Sequence, residues 1–556
     1  MRSTMQNVPL LTSRLIEYAG TVYPGSEVVT WGAGGPRRSS FADVARDCRR
    51  LANALRSLGV DGDQRVGSFM WNNEEHLELY LGVPAAGAVL HTINIRLFPQ
   101  QMVYVVNHAE DRVVFVDNSL AQPFSALLEH TPLVEHVVVN GPVPDEVRQA
   151  LGGDGRRQVH DYRALLDAQP DTFDWPVLDE NDGALMCYTS GTTGNPKGVV
   201  YSHRSNLLHA TFCAGSNSLG LSQASRALAV VPLFHANAWG LAYASMISGA
   251  SVIMPDRFLQ PEPLVAMIAS ERVTCGGAVP TLMTGVLDHL DAHPEIDVSS
   301  LNNVIIGGSA CPPALMHAFH DRHGITILHG WGMTETSPLG TVAIPPIGAE
   351  GEEYWEYRHS QGRLALHVEA RLIGADGTRQ PWDGESVGEV EVRGPWITGS
   401  YFREDDPATQ EKFDDGWLRT GDIGSLTPDG YLTISDRAKD VIKSGGEWIS
   451  SIDLENTLMG HPGVQEASVV GVPDDKWGER PLAVVVPAEG QQPDVTELRD
   501  YLETRVAHWQ VPERWAFVTE VPKTSVGKFD KKVLRARYAE GALTVLLPEK
   551  AERTLS

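Results

Sequence analysis

The stretch from Tyr188 to Gly198, YTSGTTGNPKG, concentrates groups that bind anions. Gly191, Gly194 and Gly198 let the backbone approach an anion closely and turn its N–H groups inward. Thr189, Ser190, Thr192 and Thr193 add hydroxyl donors, and Lys197 adds a point charge on a flexible stem. Together these make a phosphate cradle. It departs from the familiar NTPase loop, because Lys197 is followed by Gly198 rather than Ser or Thr. A run of Gly, Ser and Thr is also common loop punctuation, so a solvated turn is the competing reading. Further polar positions follow: Thr334–Glu335, Thr420–Gly421–Asp422, Arg437, Lys443–Ser444–Gly445–Gly446, and Lys528 in KTSVGKF. Singly these are a helix cap, a turn, an exposed charge, a hairpin and a surface lysine. In this order in one chain they ask for a common site.

The elements that must position them alternate. FADVARDCRRLANALRSLGV has apolar residues at helical spacing and ends on glycine, QRVGSFM reads as a strand, and VVFVD as another. EHLELYLGVPAAGAVLHTINIRL, apolar on both sides, reads as a buried helix. The rhythm predicts a parallel sheet covered by helices. A second block repeats it through SNLLHATFCAG, ALAVVPLF, LAYASMISGA, SVIM and NNVIIGG. Strand, Gly307-Gly308-Ser309, then a helix opened by Pro312 and Pro313, is the geometry that leaves a ligand crevice at the carboxyl end of a sheet. From about 363 to 435, short β segments with turn signals predict antiparallel structure, a barrel or small sandwich. Residues 441–556 read as a separate small α+β domain after a hinge at 436–440, leaving 1–435 as the N-terminal domain.

Composition narrows the partners. The chain has 556 residues, enough for several subdomains. Acidic residues outnumber basic ones by 71 to 45, a formal charge of −26, which argues against nucleic acid or an anionic membrane as the main partner. The five cysteines, without any CxxC, read as reduced thiols of a cytoplasmic protein, and no Cys/His metal cluster is present. The N-terminus lacks the apolar core of a signal peptide. From Ala227 to Met254 there is no Asp, Glu, Lys or Arg, but Pro232, His235, Asn237, Gly240 and Gly249 interrupt it. Buried core is the reading, with no transmembrane segment.

YTSGTTGNPKG, GGSACP, WGMTET, LRTGD, DRAKDVIKSGGEW and PKTSVGK resemble, in sequence order, the core motifs of the acyl-activating, adenylate-forming superfamily. HTINIRLFPQQ, VPLFHANAW and KSGGEWISSIDLEN are most similar to the medium- and long-chain fatty-acyl-CoA ligases. The resemblance implies an α/β fold: a large N-terminal domain of two helix-covered, mainly parallel sheets with a small β-barrel, then a small mobile α+β domain. It implies a two-step reaction using ATP, Mg²⁺ and coenzyme A on a carboxylic acid, and a homodimer. Thr189 to Lys197 would hold the β- and γ-phosphates, Thr334 the α-phosphate, and Glu335 the Mg²⁺. Lys528 would bridge carboxylate and adenylate. Asp422 would take the ribose hydroxyls with Arg437 nearby, and Gly307, Gly308, Ser309, Gly332 and Met333 would line the nucleotide pocket. Trp331 stands where the family has tyrosine, so only its stacking role carries over. His235 would be a gate near the carboxylate. Lys439 would be the hinge, bringing the loop of Lys443, Gly445, Gly446, Glu447 and Trp448 in for thioester formation. Two alternatives stay open. One keeps adenylation but takes an aryl or other carboxylate or an inorganic acid, with a carrier-protein thiol, an amine or another acceptor. The other is a nucleotide-binding protein without catalysis, which the presence of both Glu335 and Lys528 disfavours.

Overall fold

The computed structural model describes residues 1, 3–153, 155–189, 195–374, 376–404, 407–444, 447–474, 476–523 and 529–547, with backbone alone at 237, 408, 447 and 448. Ser190, Gly191, Thr192, Thr193, Gly194, Gly445, Gly446 and Lys528 therefore lie outside the described residues, as do the side chains of Glu447 and Trp448.

Among the described residues the strands form three sheets. The first runs Gln158–Asp161, His136–Asn140, Val113–Asp117, Arg65–Phe69, Val89–Thr92 and Gly183–Tyr188, all parallel, and ends on antiparallel Gly198–Ser202. Its strands Val113–Asp117 and His136–Asn140 are Val-rich and largely buried, as helix-covered parallel sheets require. The second has a parallel block of Glu27–Thr30, Ser251–Met254, Arg226–Ala229, Cys275–Ala278, Asn303–Ile306 and Thr326–Gly332. Thr326–Gly332 then pairs antiparallel with Leu339–Val342, and the antiparallel pairing continues through Gly362–Leu364, Tyr431–Arg437, Trp417–Leu426, Gly388–Arg393 and Glu369–Ile373. The antiparallel segment expected from about 363 onward is thus hydrogen-bonded to the parallel sheet through one shared strand.

Helix Phe41–Ser57 shows how local signals place the cover. Ser40 and Asp43 close a capping box at its start, and Phe41, Val44, Ala45, Cys48, Leu51, Ala52 and Leu55 form the buried stripe. One expected element divides. The helix anticipated over EHLELYLGVPAAGAVLHTINIRL runs only from Glu74 to Ala85, and Val89–Thr92 is a strand. Gly87 takes φ of 94°, which turns the chain out of the helix, and Val-Leu-His-Thr then fits a central strand. The uncharged 227–254 stretch divides into strand, an eight-residue helix Leu241–Ser248 and strand. Among the described residues no helix is long and apolar enough to cross a membrane. All five cysteines are buried free thiols.

The third sheet joins Ile442–Ser444, Glu447–Ile449, Val464–Asp474, Gly478–Pro487 and Arg514–Phe517. The chain passes from the large sheet at Arg437 to this one at Ile442. That crossing is held by buried polar groups. Asp436 accepts from the Ser451 N–H (2.7 Å) and hydroxyl (2.6 Å), and Lys531 pairs with Glu455 at 2.9 Å. Arg535 reaches Asp440 at 2.8 Å.

Candidate active site

A cavity of about 520 Å³ opens where the second sheet changes from parallel to antiparallel pairing. Gly307 and Gly308 follow the strand Asn303–Ile306, and its neighbour Thr326–Gly332 ends on Trp331 and Gly332, with Met333 to Glu335 just beyond. The turn after Trp331 is very tight. A Cβ on Gly332 would lie 1.9 Å from the Pro338 carbonyl oxygen, so no larger residue fits. The 3₁₀ turn Thr334–Thr336 buries Thr334 and Glu335, and the Tyr201 hydroxyl donates to the Thr334 carbonyl at 2.7 Å.

Thr189 and Lys197 stand at the two ends of the Gly/Thr loop, which connects antiparallel strands as a hairpin. The Thr189 N–H donates to the Lys197 carbonyl at 2.9 Å, and the Lys197 N–H returns to the Thr189 hydroxyl at 3.1 Å. Both side chains line the cavity. The Lys197 ammonium donates to the Thr409 hydroxyl and lies 3.5 Å from Glu404.

Asp422 sits just behind the lining. The Trp331 indole N–H donates to its Oδ2 at 2.8 Å, and Arg437 Nε lies 3.2 Å from Oδ1. Arg437 is its cross-strand partner, and the Asp422 charge pushes the guanidinium pKa up. Trp331 thus has a hydrogen-bonding role besides the stacking expected of it. Its nitrogen takes part in orienting the carboxylate, a role the sequence reading withheld from it.

Glu335 accepts from the Tyr401 hydroxyl and from the Lys412 ammonium at 3.2 Å. Among the described residues no group of three or more His, Cys, Asp or Glu could hold a metal by itself. A buried carboxylate facing a cavity nonetheless fits Mg²⁺, which takes one or two protein carboxylates and completes its shell with phosphates and water.

His235, Lys439, Met333, Gly307 and Gly308 also line the cavity. Ser309 is exposed beyond the turn and outside the lining, and Lys443 is exposed in the small sheet, its N–H held by Glu479 at 3.0 Å. Sequence reasoning missed Tyr401, Lys412, Thr409 and Trp239. Trp239 packs over two glycines, since a Cβ on Gly277 or Gly307 would lie 3.3 Å from its ring. Ala236, Ala238 and Trp239 hold φ of 44°, 48° and 56°, a strained run of the kind that collects at binding sites. Behind Trp239 lies a void of about 20 Å³, lined by Val231, Leu241, Ile305 and Leu339 among others.

Fold and site together define the class of acyl-activating, adenylate-forming enzymes. The chain belongs to the AMP-binding enzyme family: residues 16–402 match the model described as AMP-binding enzyme, and residues 453–528 that described as AMP-binding enzyme C-terminal domain. It is an AMP-forming ligase of the acyl-CoA synthetase kind, working with ATP, Mg²⁺ and coenzyme A. A 3-methylmercaptopropionyl-CoA ligase of Ruegeria lacuscaerulensis is 42% identical over 552 residues, covering 98% of this chain and 100% of the relative. A long-chain-fatty-acid–CoA ligase of Thermus thermophilus is 40% identical, covering 96% and 97%. A medium-chain-fatty-acid–CoA ligase of Ectopseudomonas oleovorans is 39% identical, covering 97% and 98%. Among solved structures, an anthranilate CoA ligase in complex with anthranoyl-AMP superposes with a TM-score of 0.85 at 27% identity, covering 97% of this chain and 100% of that one.

Proposed function

We propose that the protein activates a medium- or long-chain fatty carboxylate with ATP and transfers the acyl group to coenzyme A. One observation carries the choice of acid. The polar end of the cavity, with Lys197, Thr334 and Glu335, continues into apolar wall at Trp239, Ile305 and Leu339, with the small void behind. That arrangement suits a charged head and an alkyl tail. The medium- and long-chain fatty acids named for two relatives support the same class, and the short thioether acid named for a third is the reason 3-methylmercaptopropionate belongs in the test.

In the first step a carboxylate oxygen bonds to the α-phosphorus of ATP and the bond to pyrophosphate breaks. Two anions must meet, so the site has to offset their repulsion. Lys197 would hold the leaving phosphates, Thr334 the α-phosphate, and Asp422, fixed by Trp331 and Arg437, the ribose. Glu335 would hold Mg²⁺, which supplies charge neutralisation when bound. Lys528 would stabilise the pentacoordinate phosphorus with its charge, and His235 would flank the carboxylate. In the second step the thiolate of coenzyme A bonds to the acyl carbon and AMP leaves with the carboxylate oxygen. Residues 1–435 and 441–556 would act as two domains about the 436–440 segment, with Lys439 as hinge and the 443–448 hairpin serving the second step. A homodimer is carried over from related ligases and is read by sedimentation.

The test is AMP release with butyrate through palmitate, 3-methylmercaptopropionate, benzoate and cinnamate, with and without coenzyme A. The expected result is coenzyme-A-dependent AMP and acyl-CoA, highest with an acid between hexanoate and palmitate. Highest turnover with an aryl acid, or adenylation indifferent to coenzyme A, would overturn this assignment.

A further inference from the structure

One cation in the cavity has no part in the reaction as set out above. Lys412 lies between the short helix Pro407–Gln410 and the strand Phe413–Asp414, and its ammonium donates to Glu335 Oε1 at 3.2 Å and to the Tyr401 hydroxyl oxygen at 3.1 Å. The Glu335 side chain is 5% exposed and that of Lys412 37%, so a fixed buried carboxylate is met by a long chain free to turn. The Tyr401 ring is near two lysines, with the Lys197 nitrogen 5.5 Å and the Lys412 nitrogen 5.8 Å from its centroid. Both line the same cavity.

We propose that Lys412 is a second phosphate-binding cation of the ATP site, whose ammonium exchanges the Glu335 carboxylate for the β- and γ-phosphates. A divalent ion at Glu335 would weaken the hold of its carboxylate on Lys412. An oxygen about 2.1 Å from Mg²⁺ would bring the ammonium close to a double positive charge. Lys412 then needs another anion, and the triphosphate occupies the same cavity. A lysine suits the task because it acts as a point charge on a rotatable stem and follows oxygens that move apart as pyrophosphate leaves. With Lys197 also near Tyr401 and lining the same cavity, two ammonium groups serve the leaving group, where negative charge grows as the bond to the α-phosphorus breaks. Once only AMP remains, those oxygens are gone and Glu335 takes Lys412 back.

This deepens the proposed function and rests on the cavity taking ATP. The test is calorimetric titration of the full chain with ATP and with AMP, each with excess Mg²⁺, for the parent, Lys412→Met and Lys412→Arg. Loss of one charge-assisted contact weakens ATP binding by about tenfold in Lys412→Met, while AMP binding changes by no more than about twofold. Lys412→Arg recovers most of the loss. Equal ATP binding by parent and Lys412→Met overturns the assignment, and so does an equal loss for ATP and AMP, which marks a merely structural role. A parent that binds neither nucleotide overturns the proposed function itself, a different outcome from either.

Discussion

Asp422 has two partners that hold its carboxylate still, the Trp331 indole N–H at 2.8 Å and Arg437 at 3.2 Å. The ribose contact proposed for Asp422 would gain from such fixing, since its rotation need not be frozen on binding. Trp331→Phe keeps an aromatic face and removes the N–H. The KM for ATP should then rise by roughly three- to tenfold, less than the full worth of a hydrogen bond to a charged group because Arg437 still holds the carboxylate, with kcat little changed. An unchanged KM would show that Arg437 alone orients Asp422. At this scale the candidate motifs stood out by their order in one chain, since singly each is ordinary loop punctuation. Lys412, Tyr401 and Trp239 did not. Lys412 lies in a polar loop, QEKFDDGW, where a lysine looks like any solvated charge. Its role comes from meeting Glu335, 77 residues earlier in the chain.

The helix His203–Ala214 and the strand Leu339–Val342 brace the Thr334–Glu335 turn through one histidine. His209 Nε2 accepts from the Leu339 N–H at 3.1 Å, and the Trp396 ring packs edge-on against it at 5.8 Å. Burial pushes the His209 pKa down to about 3, and burial likewise holds His76, His203, His329 and His359 at about 4. These folded-state values lie below the ordinary 6.5, so the unfolded chain binds more protons at mildly acid pH. The stability that neutral His209 contributes is present above about pH 6.5 and is lost progressively as pH falls toward its folded value. Urea unfolding between pH 7.5 and 5 should therefore show stability falling from about pH 6.5 downward. In His209→Gln the slope should be shallower by up to roughly 1.4 kcal/mol per pH unit, one proton's worth. Identical slopes would mean that His209 is protonated in the fold. Period and punctuation made most elements legible here, including the capped helix Phe41–Ser57. The helix after Asn73 was overextended because a central parallel strand and a buried helix are both uniformly apolar. The pairing of the antiparallel strands with the parallel sheet was also out of reach. Strand adjacency over long separations is set by tertiary packing, which a local pattern does not encode.

Across the whole molecule, the cavity draws on both halves of the long sheet, and Arg437 and Lys439 in its wall belong to the segment that leads to the small sheet. By the proposed function, a movement of the small unit about this segment would be felt at the nucleotide. Asp436, Ser451, Lys531 and Arg535 tie that segment to the helix that follows the PKTSVGK stretch. The order of motifs along the chain made this two-part organisation legible, but the contacts that couple the parts join residues up to 96 positions apart. The central claim is that the carboxylate is activated on the α-phosphorus. It is tested most directly by supplying a fatty acid labelled with ¹⁸O in both carboxylate oxygens, together with ATP and coenzyme A, and weighing the products. Attack on the α-phosphorus followed by thiolate displacement leaves one ¹⁸O in the phosphate of AMP and one in the acyl-CoA, with none in pyrophosphate. Label in inorganic phosphate or pyrophosphate, or AMP without label, would contradict the account.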